Sequence, residues 1–174
     1  MDLNSNNKRG VFVTFAAACL AFTALTTMPA AWAETLAIET GWGDFKSRGT
    51  ESVFLRYLKD APPLFGYDSF HDFLLASWNG PNHNDAIGIA RGLRHAWRGG
   101  KYLSASGGLG YVAQKTDYLG THMQFVLRLA FGNRFGNYDL SIAQVHYSNG
   151  KKIFGWDGPN HGQDFLTLQL GREF

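Results

Sequence analysis

Cysteine is nearly absent from this chain of 174 residues. Cys19 is the only one, and it lies in an apolar run over residues 11–27. If that run is removed on export, the mature product has no disulfide, no thiolate nucleophile and no cysteine ligand for a metal. Net charge is scarce too. The whole chain carries +2 at pH 7, and without Asp2, Lys8 and Arg9 the two signs all but balance. That gives no case for a nucleic-acid partner. No segment beyond residue 33 is apolar enough to cross a membrane as a helix. A dense carboxylate cluster with fixed ligand spacing is missing as well, so little supports a metal site, and no cofactor is expected.

What is present at the N-terminus is a targeting pattern. Lys8 and Arg9 precede the apolar run, and "PAAWAE" follows it with Ala31-Trp32-Ala33 as an A-x-A site. This is the layout of a secretory signal peptide cleaved after Ala33. A transmembrane anchor is the competing reading, but the run is short of the roughly 20 residues a spanning helix needs. A lipoprotein is disfavoured, because Cys19 stands behind three alanines and before Leu20. The expected organisation is a signal peptide over residues 1–33 and one domain over 34–174.

That domain alternates with period 2 along its length, with turn residues between the runs. In "HMQFVLRLAFG", Met123, Phe125, Leu127, Leu129 and Phe131 share one face, and Gln124, Val126, Arg128, Ala130 and Gly132 share the other. A polar, small-residue face opposite an apolar one suits a narrow barrel interior with lipid outside. Similar runs fall at 34–43, 51–58, 84–97, 101–114 and 137–148, and one over 68–78 has Phe and Leu on both parities. With the final "DFLTLQLGREF" the count is eight. The fold expected is an all-β, eight-stranded antiparallel transmembrane barrel with a packed interior and no pore. "RGGK" and "GNRFGN" are expected as tight periplasmic turns, and "APPLFGY" as a longer proline-broken one. Trp42, Trp78, Tyr111, Tyr147 and Trp156 are expected at the outer interface, and Tyr57, Trp97, Tyr102 and Tyr138 at the inner one. A chain ending in Phe174 looks like an outer-membrane barrel protein, and that residue resembles the signal read by the barrel-assembly machinery. An ordinary edge strand ending in Phe is the plain alternative.

Counting by twos also locates candidate chemistry. From Leu140 and Ile142 the lipid-facing parity continues to Gln144, His146 and Ser148. From Leu170, Leu168 and Leu166 it steps back to Asp164. Polar groups on a lipid-facing wall are costly unless paired and used. Ser148 as nucleophile, His146 as base and Asp164 as orienting acid form an acyl-transfer set. The alternatives stay open: strand-end residues bonded to headgroups, His161 as a competing base, or a metal held by His146, His161 and Asp164. Lys151 and Lys152 could meet lipid phosphates or simply be solvated. "WNGPNH" at Trp78 and "WDGPNH" at Trp156 repeat one Gly-Pro-Asn turn recipe. Only the second lies near His146 and Ser148.

"HYSN", followed by "PN", Gly162, a carboxylate and a strand ending in Phe, resembles the outer-membrane lipid A 3-O-deacylases (the PagL family). The resemblance is strongest over Gln144 to Phe174. It implies an esterase that removes the 3-O-linked acyl chain of lipid A in lipopolysaccharide, located in the Gram-negative outer membrane. It implies His146 and Ser148 as the catalytic pair, Asp164 in place of the family's usual glutamate, and Asn160 in the oxyanion hole. Asn149 and Gly150 join that oxyanion and substrate-binding set, with Gly150 where family members often carry alanine. The implied partners are the lipid substrate, other outer-membrane lipids, the assembly machinery and a possible second copy of the chain. An outer-membrane phospholipase and a non-catalytic structural or adhesive barrel are the alternative functions.

Overall fold

The computed structural model describes residues 35–43, 49–155 and 158–174. The expected signal peptide lies outside the described residues, as do Trp156, Asp157 and the side chain of Lys152. The strands are β1 (Thr35–Gly43), β2 (Glu51–Leu64), β3 (Tyr67–Asn79), β4 (Asn84–Ala96), β5 (Lys101–Val112), β6 (Met123–Phe135), β7 (Tyr138–Ser148) and β8 (Gln163–Glu173). Each pairs antiparallel with its sequence neighbours, and β8 closes on β1 to complete the expected eight-stranded barrel. One helical turn, α1 (Lys151–Phe154), lies in the β7–β8 connection.

The alternation of residue types becomes an alternation of environments. In β6, Gln124, Val126, Arg128 and Ala130 are buried inside while Met123, Leu127, Leu129 and Phe131 face out. Outward aliphatics such as Ile87, Ile89, Leu127, Leu129 and Leu168 are each 50–58% exposed. Such a belt far exceeds the few hundred Å² of contiguous apolar surface that a water-soluble monomer shows. A bilayer covers it, and tilted strands of roughly 9–11 residues suffice to cross one.

The interior is filled in two layers. Towards the outer loops, Phe54, Leu74, Trp78, Val145, Tyr147 and Phe165 form an apolar cluster. Trp78 packs its ring 5.2 Å from Tyr147 and 5.4 Å from Phe165. Below lies a charged network. Arg56 pairs with Asp72 and, at 3.1 Å, with Glu39. Arg128 meets Glu39 at 3.2 Å and Gln169 Oε1 at 2.9 Å, and Thr167 donates to Glu39. Buried ions need such mutual pairing, because losing one partner leaves an uncompensated charge.

Three expectations need correction. Trp78, Tyr147 and Tyr102 do not sit in interfacial girdles. Their parity points them into the barrel, where each is at most 2% exposed. The Tyr102 hydroxyl donates to Asp139 at 2.6 Å. Second, β2 does not end at residue 58 but continues to Leu64 through Pro62 and Pro63. The ladder shifts register between Ala61 and Leu64, so the missing proline N–H groups fall in a bulge. The expected long link is then a two-residue turn, Phe65 and Gly66, both at positive φ. Third, β6 runs on to Phe135, and only the end of "GNRFGN" forms the turn.

Candidate active site

His146 and Asp164 are directly opposed across the β7–β8 ladder. His146 Nδ1 and Asp164 Oδ1 are 2.7 Å apart. Their side chains are 35% and 17% exposed, so the pair is partly withdrawn from surrounding lipid and water. Gln144 Nε2 donates weakly to the same carboxylate oxygen at 3.5 Å. A carboxylate on Nδ1 holds the proton there and leaves Nε2 as the basic nitrogen. Ser148 is two residues on from His146 along β7, roughly 6.5–7 Å away on the same face. No hydrogen bond joins the two among the described residues, as is common before substrate arrives. Both line a surface recess of about 400 Å³ with Gly150, Ile153, Asn160, His161 and Gly162.

The recess is built by the β7–β8 connection. Asn160 Oδ1 accepts the Asn149 N–H at 3.1 Å, and the Nδ2 end of that amide has no partner among the described residues. Asn149 is completely buried, and both ends of its side chain are occupied. Nδ2 donates to the Pro159 carbonyl at 3.0 Å, and Oδ1 accepts the Lys151 N–H at 3.0 Å. The structure therefore places Asn149 behind the recess, as a brace between its two rims. Gly150, at φ 69°, opens α1, and its carbonyl accepts the Ile153 N–H at 2.8 Å. Its own N–H has no partner among the described residues. Lys151 Nζ donates to the Gly158 carbonyl at 2.7 Å, which ties the loop to itself.

Gly162 is a tight constraint. Its φ is +77°, and a Cβ there would stand 2.9 Å from His146 Cε1. A side chain at this position strains the backbone and pushes the imidazole. His161 faces the recess and touches Tyr118 edge-on at 5.9 Å. Among the described residues, no group of three or more His, Cys, Asp or Glu side chains could hold a metal ion.

One contribution had no sequence signal. The β5–β6 loop clamps the β7–β8 loop from the side. Tyr118 O accepts the His161 N–H at 3.1 Å and the Gly162 N–H at 3.3 Å, and the Gly120 N–H donates to Pro159 O at 3.1 Å. Leu119 forms an isolated bridge with Asn160 and buries its side chain in the apolar cluster. The first Gly-Pro-Asn copy shapes a turn. Trp78 Nε1 donates to Asn82 O at 2.7 Å, and His83 Nδ1 lies 2.9 Å from Trp78 O, which closes the β3–β4 turn.

A closed eight-stranded barrel with a continuous apolar belt is an outer-membrane protein by architecture. A serine, histidine and carboxylate on its outer wall are the residue types of a hydrolase. Residues 51–173 match the family described as Lipid A 3-O-deacylase (PagL). The chain belongs to that family of outer-membrane carboxylic ester hydrolases. No curated protein matches the chain. Among solved structures, it resembles a crystal structure of the outer membrane enzyme PagL, with a TM-score of 0.65 and 18% identity over 80% of this chain and 99% of that one. It also resembles a de novo designed transmembrane β-barrel, with a TM-score of 0.56 and 11% identity over 84% of this chain and 100% of that one. At these identities the two likenesses speak for the fold.

Proposed function

We propose that this protein cleaves the 3-O-acyl ester of lipid A by a Ser-His-acid mechanism on the lipid-facing outer wall of the barrel. The observation that carries the reading is the 2.7 Å contact between His146 Nδ1 and Asp164 Oδ1, beside a recess that Ser148 shares. With Asp164 holding the Nδ1 proton, His146 Nε2 takes the proton from Ser148 Oγ as that oxygen attacks the acyl carbonyl carbon. The carbonyl oxygen becomes an oxyanion. Asn160 Nδ2 and the Gly150 N–H, neither with a partner among the described residues, are the donors that would meet it. Collapse breaks the bond to the sugar 3-oxygen, and His146 returns its proton to that oxygen. Water then attacks the acyl-serine with the same imidazole as base. The products are a free fatty acid and a sugar hydroxyl.

The apolar surroundings support this substrate class. His146 pairs with the outward Leu127 on one side and stands two residues from the level of Leu166 on the other. An acyl chain can lie along that wall without leaving the bilayer. Residues 1–33 fit the role of an export signal cut after Ala33, and the Phe174 end fits recognition by the assembly machinery. Mass spectrometry of lipid A and phospholipids from cells expressing the wild type or Ser148→Ala tests the reading. The expected result is loss of one 3-hydroxyacyl chain with the wild type alone. Accumulation of lysophospholipid instead would make the protein a phospholipase, and no change in either pool would leave a structural barrel. N-terminal sequencing of the membrane-extracted protein should begin at Glu34.

A further inference from the structure

The wall formed by β2, β3 and β4 lies across the barrel from the site just described. Its lipid side carries a basic row near the periplasmic end. Lys59 opposes His71, and His71 opposes Arg91, so the three stand abreast on neighbouring strands. All three continue the outward parity of Leu55 and Tyr57, of Leu75 and Phe73, and of Ile87 and Ile89. Cationic side chains on a lipid-facing wall are destabilising unless they are satisfied.

Arg91 is satisfied from within the chain. It donates from Nη1 to His71 Nε2 at 2.8 Å, and from Nη2 to Pro62 O at 2.9 Å and Ser69 Oγ at 2.7 Å. Arginine can only donate, so His71 Nε2 is the acceptor and the proton of the neutral ring resides on Nδ1. That N–H and the Lys59 ammonium have no partner among the described residues. They sit on directly opposed residues, whose Cβ atoms are about 5 Å apart in such a pair. Just outward of them lies an apolar groove of about 220 Å³ lined by Leu36, Leu55, Tyr57, Phe73, Leu75 and Ile87. The Tyr57 and Phe73 rings stack at 5.9 Å between groove and row. From the row to these rings is one two-residue step, roughly 7 Å. Among the described residues, no carboxylate occupies the outward positions of β1 to β4 on the periplasmic side of Leu55.

We propose that this wall is a binding site for one anionic glycerophospholipid of the periplasmic leaflet. Its phosphate is held by Lys59 Nζ and the His71 Nδ1–H, and an acyl chain lies in the groove above. Charge selects the headgroup. A zwitterionic lipid brings a second cation to a row that already holds Lys59 and Arg91 and offers no carboxylate to receive it.

The test is native mass spectrometry of the whole mature barrel in detergent micelles doped with phosphatidylglycerol or phosphatidylcholine. The wild type is expected to retain one phosphatidylglycerol and to prefer it over phosphatidylcholine. Lys59→Gln should lower that retention by about tenfold, the scale of one charge-assisted hydrogen bond. Leu75→Trp, which fills the groove, should lower it comparably. Lys101→Gln, on an exposed residue of β5, should not change it. Each variant should keep the heat-shifted gel mobility of a folded barrel and wild-type deacylation, because the row and the catalytic recess share no residue. Equal retention of the two lipids by the wild type overturns the proposal. So does phosphatidylglycerol retention by folded Lys59→Gln at the wild-type level.

Discussion

Replacing Asp164 by alanine separates catalysis from architecture. The carboxylate makes a 2.7 Å contact to His146 and sits at the start of β8, where its backbone stays in the ladder whatever the side chain. A hydrogen bond to a charged group contributes about 1.5–3 kcal/mol. At about 1.4 kcal/mol per decade of rate, the bond alone accounts for roughly 10- to 100-fold. Loss of the correct tautomer and ring orientation adds to this, and a buried triad that keeps its geometry but loses this control falls about 10⁴-fold. The His146 side chain is 35% exposed, so water can replace part of the lost partner. The expected decrease in kcat for Asp164→Ala is therefore between about 10² and 10⁴-fold. Asp164→Glu should keep substantial activity, since it restores a carboxylate within reach of the same ring. Thermal stability of the alanine variant should be unchanged or higher, because removing a charge from a lipid-facing wall is favourable. The assay is release of fatty acid from purified lipopolysaccharide in mixed micelles, alongside the temperature at which heat-shifted gel mobility is lost. An Asp164→Ala enzyme within about threefold of wild type, less than the bond alone accounts for, would refute the assignment and leave His146 without its acid.

Ser148→Ala and His146→Ala should each nearly abolish turnover, and the double variant should lose little more, because members of such a set act as a unit. Asn160→Ala should lower kcat by about 10²–10³-fold with a small change in KM, as for loss of one oxyanion donor; a pure KM effect would move Asn160 to substrate binding. Gly162→Ala should cost activity and about 1–2 kcal/mol of stability, since its φ is +77° and its Cβ would displace the imidazole, with Cε1 2.9 Å away; wild-type turnover would show that the ring can yield at no cost. In the interior, Arg56→Met should leave the Asp72 carboxylate without its guanidinium, while Glu39 keeps Arg128, and destabilise the barrel by about 3–5 kcal/mol, read as a lower unfolding midpoint in urea; an unchanged midpoint would mean the Arg56–Asp72 pair is dispensable.

Much of this architecture was legible because the strand period is two and does not drift. β6 shows it best: Gln124 and Arg128 share a parity with Val126 and Ala130, and all four are inside. The same counting set His146, Ser148 and Asp164 on one face, where the structure also places them. Parity failed where the interior is itself apolar. β3 reads as apolar on both faces because Phe70 and Leu74 pack inward while Phe73 and Leu75 meet lipid. Residue type misled at Trp78, Tyr102 and Tyr147. An aromatic with a polar tip suits a membrane interface and suits a buried hydrogen bond or ring cluster equally well. Parity already put Tyr147 opposite His146, and it deserved precedence over type. The length of β2 was hidden by Pro62 and Pro63, which normally end a strand and are tolerated here only because a bulge receives them. The grip of Tyr118 and Gly120 on the β7–β8 loop is a long-range backbone contact, and no local pattern encodes it. Nor does the sequence distinguish Asn149 from Asn160. Both are asparagines beside a turn, and burial and hydrogen bonding make one a brace and leave the other's Nδ2 without a partner among the described residues.

On the proposed mechanism, the position of the site on the outer wall follows from how the interior is filled. Aromatic rings and paired charges pack the barrel, so no acyl chain can enter it. A lipid substrate meets this protein only from the side. That arrangement removes the need for a deep pocket, since the bilayer already confines the acyl chain and aligns it with the strands. What the protein must supply is a fixed constellation at the depth of the ester. β7 and β8 supply it through their register, which opposes His146 to Asp164, and the interior maintains that register. The Thr167 hydroxyl of β8 lies between two acceptors, Glu39 of β1 and, at 3.1 Å, the Ala143 carbonyl of β7. Sliding β8 by one residue against β7 would break those contacts, and it would turn Asp164 into the barrel and away from His146. On the proposed mechanism, the buried network supports catalysis without touching substrate, by holding the register that opposes His146 to Asp164.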